Sequence, residues 1–210
     1  MKNSRIIGLA MVTAVAISTQ LRVSGSPIVF TFQGIGTGVI GTTAFSNTAF
    51  TITAAGDTVN RQSYTSYPFN TLPLYWIDSD SAFINLSGAG TFDFISSTRT
   101  YVNEYYAQVG FSRGPGNGID LFDSSSDSVF STWDMQTSIG PQLGNGTLLQ
   151  WGSFYGNVDT TGGALFFQDG ASPLTFQAIV VPEPSAISMF FSLIMIYTLM
   201  RRSGSRLLAR

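Results

Sequence analysis

Residues 26–181 alternate apolar and polar side chains in short runs. No stretch among them sustains an i, i+3, i+4, i+7 apolar pattern over three helical turns. Runs such as Ile28-Val29-Phe30-Thr31-Phe32 and Phe50-Thr51-Ile52-Thr53-Ala54 repeat with period 2, which sends successive side chains to opposite faces of a strand. Phe, Tyr, Thr, Ile and Val are plentiful, and Gly, Ser and Asn break the runs. Helix formers are scarce, with no Lys and a single Glu, Glu104. The stretch of 156 residues is a usual size for one domain.

Strands are expected at 28–32, 37–42, 50–54, 74–77, 82–86, 90–94, 100–102 and 107–112. Further strands are expected at 119–122, 129–133, 148–153, 164–168 and 174–180. Turn signals separate most of them: Gly56-Asp57, Gly88-Ala89-Gly90, residues 114–118, Gly144-Asn145-Gly146 and Thr161-Gly162-Gly163. This spacing predicts an all-β domain, a two-sheet β-sandwich of jelly-roll or lectin-like type. Helix is expected to be limited to about a turn, best placed at 102–106. The similar segments Phe30-Thr31-Phe32-Gln33 and Thr175-Phe176-Gln177 leave open that the first and last strands pair. Gly36, Gly38 and Gly41 fall in a G-x-G-x-x-G register, but no helix follows, so a tight β-turn is the better account than a dinucleotide loop.

Charge is unevenly distributed. Residues 26–181 hold three arginines against eleven carboxylates, a net charge of -8. Seven of the ten basic residues lie outside that stretch. An acidic body repels phosphates, so nucleic acid is not an expected partner. The body has no Lys, His or Cys. This excludes Ser-His-Asp and Cys-His catalysis, Schiff-base lysines, the usual zinc sites and a P-loop.

The two ends read as addresses. Lys2 and Arg5 precede a twelve-residue apolar run at 6–17, short for a membrane span and suited to a signal peptide. Val23-x-Gly25 suits cleavage by signal peptidase after Gly25, with Ala14-x-Ala16 competing. At the other end, residues 186–200 form a fifteen-residue apolar run, about 22 Å long as a helix. Pro182 and Pro184 bar its extension backwards, and Arg201, Arg202, Arg206 and Arg210 follow it. The positive-inside rule keeps that tail cytoplasmic and puts the body outside. The expected organisation is a signal peptide at 1–25, a β domain at 26–181 and a sorting segment at 182–210, with a membrane helix at 186–200.

The residues Val181-Pro182-Glu183-Pro184-Ser185-Ala186, the apolar run and Arg201-Arg202 together resemble the PEP-CTERM sorting signal of bacterial surface proteins. The resemblance covers about the last thirty residues and nothing of the body. It implies recognition and cutting by an exosortase, a membrane transpeptidase-like enzyme, near the Pro-Glu-Pro motif. It also implies an envelope carrying exopolysaccharide. It assigns no molecular activity.

Three constellations in the body bear on chemistry. Asp120, Asp123 and Asp127 lie within eight residues, and Asp78 and Asp80 flank Ser79. Such carboxylates suit Ca²⁺, which takes oxygen ligands; they equally suit the solvated surface of a Lys-free domain, and no cofactor is required. Tyr75, Trp76, Tyr105 and Tyr106, with Tyr64 and Tyr67, are candidate platforms for a sugar ring, or ordinary sheet packing. Glu104 is the best single candidate for a glycosidase acid, which would need a second carboxylate near it. The expected function is a non-enzymatic, exported surface or extracellular-matrix protein. The other reading is a carbohydrate-binding or glycan-active domain displayed in the same way.

Overall fold

The computed structural model describes residues 25–65, 71–114, 120–125, 128–147 and 158–182. The strand expected at 148–153 and the helices expected at the two ends lie outside these residues. Among the described residues no helix is long and apolar enough to cross a membrane.

The described chain is mostly β. Its strands are β1 (Pro27–Ile40), β2 (Thr43–Asp57), β3 (Gln62–Tyr64), β4 (Leu74–Asp78), β5 (Ser81–Leu86) and β6 (Gly90–Asp93). They continue with β7 (Thr98–Asn103), β8 (Gln108–Arg113), β9 (Asp120–Ser125), β10 (Ile139–Thr147), β11 (Val158–Thr160) and β12 (Gly163–Val180). Every pairing is antiparallel. The path runs β3-β4-β7-β8-β9-β10-β12-β1-β2-β5-β6, with β11 on β12.

Two sheets share β10. Its first part pairs with β12 up to Gly144↔Leu174, and Asn145–Thr147 pair with β9. The Gly144-Asn145-Gly146 segment expected as a turn is therefore the point where a strand passes from one sheet to the other.

The larger sheet nearly closes into a barrel. Phe94 bridges Thr160, which joins the β6 edge to β11, itself already on β12. Ile95 N–H donates to the Asp159 carbonyl (2.8 Å) and Thr161 N–H to the Asp93 carbonyl (2.9 Å). Closure removes the exposed edge that β6 would otherwise present.

The first and last strands do pair. Thr31, Phe32 and Gln33 face Gln177, Phe176 and Thr175 in register. Ile28, Phe30, Phe32, Phe50, Ile52, Ile84, Phe167 and Phe176 point inward and are buried. From the smaller sheet come Ile77, Val102, Val109 and Phe111.

Three further expectations need correction. Residues 128–131 form a 3-10 turn, Ser128–Ser131, in place of the expected strand. Phe130 and Trp133, three apart, both point inward against Phe176, at ring distances of 5.7 and 5.4 Å. A strand would have sent them to opposite faces. Residues 102–106 are not the helical turn: β7 runs to Asn103, and the other 3-10 turn is Thr58–Asn60. The Gly36-Gly38-Gly41 run is mostly strand. Register shifts in β1 fall around Gly36 and Gly38, where a Cβ on Gly38 would collide with the Phe166 carbonyl. Only Gly41, at φ 58°, makes the turn.

Candidate functional site

Tyr75 and Trp76 are neighbours in β4 and therefore occupy opposite faces of the smaller sheet. Tyr75 packs against the core, and the Arg61 guanidinium sits over its ring at 4.6 Å. Trp76 lies in a cross-strand row with Gln62 and Tyr101, and Arg99 approaches its ring at 5.9 Å. The two rings cannot serve one sugar-binding platform. Tyr105 and Tyr106 can. They occupy the turn after β7, are 50% and 62% exposed, and meet edge to face at 4.8 Å.

That turn is built from the chain outward. Asn103 Oδ1 accepts the N–H groups of both Tyr105 (3.1 Å) and Tyr106 (3.3 Å), an Asx turn that fixes the backbone under the two rings. Glu104 N–H donates to the Pro73 carbonyl (3.2 Å), tying the turn to the start of β4. Ala107 closes it with φ 49°, in the left-handed region that residues with a side chain rarely adopt.

A polar cluster lies close to Glu104 of this turn. Arg61 Nη1 donates to the Asp134 carbonyl oxygen (2.9 Å) and to Asp134 Oδ2 (3.1 Å). Glu104 is partly buried next to them. Burial pushes its pKa up from 4.5, the Asp134 carboxylate pushes it further, and the Arg61 charge opposes both. Asp134 Oδ1 accepts the Gln136 N–H (3.1 Å), and Met135 between them is fully buried and also left-handed, at φ 64°. Two of the three described non-glycine residues with positive φ, Ala107 and Met135, thus flank this cluster. Such conformations persist where the surroundings over-determine them, and they concentrate at functional sites.

Chemically, the cluster offers a carboxyl that keeps its proton to higher pH than usual, a guanidinium–carboxylate clamp and two exposed aromatic rings. Sequence reasoning singles out Glu104, Tyr105 and Tyr106 and misses Arg61 and Asp134, which lie 73 residues apart. One signal is available: Arg61 is one of three basic residues in an acidic body, where a carboxylate partner is expected.

Of the other sequence candidates, Tyr64 pairs with Leu74, which in turn pairs with Asn103 at the base of the turn. Asp120 and Asp123 belong to strand β9. Asp127 and Tyr67 lie outside the described residues. Among the described residues no group of three His, Cys, Asp or Glu side chains is placed to hold a metal. Of the sorting motif, Val181 and Pro182 are described. Glu183, Pro184, Ser185, Ala186, Arg201 and Arg202 lie outside.

Val181 N–H donates to the Pro27 carbonyl (2.8 Å), next to the Ile28↔Val180 pair, so the two ends of the β domain lie side by side. No protein-family model matches the chain, and searches of curated proteins and of solved structures found no match. The fold and the site define an all-β domain of two antiparallel sheets that carries a guanidinium–carboxylate cluster close to Glu104, next in sequence to an exposed tyrosine pair.

Proposed function

We propose that the chain is an exported bacterial surface or extracellular-matrix protein. Signal peptidase removes its N-terminal helix, and an exosortase recognises and cuts its C-terminal PEP-CTERM signal. The body between them is a non-enzymatic structural or adhesive β-sandwich of jelly-roll or lectin-like type. The observation that carries the reading is the fixed order of motif, apolar run and basic tail behind Val181. A second observation supports it. Strands begin at Pro27 and end at Val180, so the whole β domain fits between the two expected cuts. Intact-mass measurement of the protein from culture should give a species starting near residue 26 and ending near Pro184. Recovery of residues 201–210 in the mature form would overturn the exosortase step.

A second reading, glycan binding, is favoured by the tyrosine pair. Tyr105 and Tyr106 present exposed apolar rings on a backbone already fixed by Asn103, with Glu104 at hand for hydrogen bonding. The ligand would be the exopolysaccharide of the producing cell. Retention on that polymer should fall severalfold in Tyr105→Ala/Tyr106→Ala. Equal retention of variant and wild type would leave the structural role alone. No metal or other cofactor enters either reading.

A further inference from the structure

The outward faces of a barrel in water are expected to be polar. Along β1, β2 and β12 this holds for the rows Thr31, Thr53, Gln177 and Gln33, Thr51, Thr175, with Ile35 beyond them an apolar exception at 38% exposure. It fails at the end where the chain enters and leaves. The next row toward that end is Ile179, Val29 and Ala55, and the last brings Val181 beside Pro27, paired in turn with Asp57. Ile179 is 48% and Val181 43% exposed.

Val59 extends the same surface and is 54% exposed. Its 3-10 turn is tied to the start of the domain by two bonds. Ser26 N–H donates to Thr58 Oγ1 (2.9 Å), and Thr58 N–H donates to the Ser26 carbonyl (3.1 Å). The one charged side chain in these rows, Asp57, accepts the Val59 N–H at 2.8 Å. The patch is thus mainly apolar, edged by Asp80, whose N–H donates to the Ala55 carbonyl (2.8 Å), and it adjoins the point from which the tail departs.

We propose that this end of the domain seats against the lipid bilayer while the C-terminal anchor is in place. The inference rests on the sorting reading given above. Chain length keeps the domain close to the bilayer once that reading holds. From Val181 to the first residue of the apolar run, Ala186, there are five residue steps, at most about 18 Å when fully extended. Pro182 and Pro184 keep those steps stiff. A domain so tethered lies within reach of the headgroups, and an exposed apolar patch at the tether point favours contact over standing clear. The seating also holds the Pro-Glu-Pro segment at the membrane surface, where a membrane-embedded protease can reach it.

The chain has no cysteine, so single labelling sites can be introduced cleanly. We would place an environment-sensitive dye at Val59→Cys, Ile179→Cys, Thr42→Cys and Ser192→Cys in the full chain. Each variant would be reconstituted in phosphatidylcholine vesicles containing a lipid-borne nitroxide. Thr42 is the control, since it lies in the turn at the far end of the β1–β2 hairpin. Ser192 reports the anchor. The expected result is severalfold stronger quenching at Val59, Ile179 and Ser192 than at Thr42. Quenching at Ser192 with Val59 and Ile179 as weak as Thr42 would overturn the seating and leave the anchor standing. Weak quenching at all four positions would overturn the anchor and the seating together. Spontaneous disulfide formation between copies of the unlabelled Ile179→Cys variant, with weak quenching in its labelled form, would show that a second copy covers the patch and would likewise overturn the proposal.

Discussion

Phe32 of β1 and Phe111 of β8 meet across the interior with ring centroids 5.6 Å apart and planes tilted by 51°, joining the larger sheet to the smaller one. Phe32 also meets Phe176, its register partner in β12, at 5.0 Å, and Phe111 meets Phe94 at 5.2 Å. Both residues are fully buried. Phe111→Ala should therefore cost about 3–5 kcal/mol, the usual range for emptying an aromatic core site. A double-mutant cycle with Phe32→Leu and Phe111→Leu should show coupling of about 0.5–1.5 kcal/mol. Additive effects would mean that the two sheets are held together elsewhere.

Thr100 faces the same interior from β7. It is fully buried, and its hydroxyl has no hydrogen-bond partner among the described residues. A buried hydroxyl without a partner forfeits its hydration, whereas a methyl of the same shape does not. Thr100→Val should raise stability by about 1 kcal/mol in urea unfolding. A loss of stability would reveal a partner for the hydroxyl.

Glu104 makes stability depend on pH, and the sign follows from its raised pKa. Above its ordinary value of 4.5 the unfolded chain releases this proton first. The folded state then binds more protons, so stability falls as pH rises from 4.5 to the folded-state value and is level beyond it. Glu104→Gln should gain stability over the wild type at neutral pH and gain nothing below pH 4.5. Arg61→Met removes the charge that opposes the shift, so it should push the Glu104 titration, followed by carboxyl NMR, higher still. A titration unmoved by Arg61→Met would show that the two groups are not coupled.

Ala107 holds φ 49° at the end of the tyrosine turn. The left-handed conformation costs a residue with a Cβ roughly 1–2 kcal/mol relative to the right-handed one. Ala107→Gly should relieve most of this and raise stability by about 1 kcal/mol, measured by thermal melting. Ala107→Val should lower it, because a β-branched side chain tolerates that region least.

The division between what is legible in the sequence and what is not follows the range of the forces involved. Period-2 alternation is a local property, and it suffices for the β class, for β5 and for the inward faces of β1 and β2. The likeness of residues 30–33 and 175–177 even foreshadows the pairing of first and last strands, because facing strands share a burial pattern. Where two periods compete, local reading fails: Val129-Phe130-Ser131-Thr132-Trp133 looks like a strand, yet Phe130 and Trp133 are drawn in together by Phe176. Short β3 and glycine-rich β10 carry too little apolar pattern to be seen at all. The candidate site divides in the same way. Asn103, Glu104, Tyr105 and Tyr106 are consecutive, so the sequence by itself determined that they lie together, while the Asx turn at the end of β7 appears only in the structure. The ion pair near Glu104 was decided by the tertiary structure, since only folding brings Arg61 across 73 residues to Asp134 and sets Tyr75 under its guanidinium.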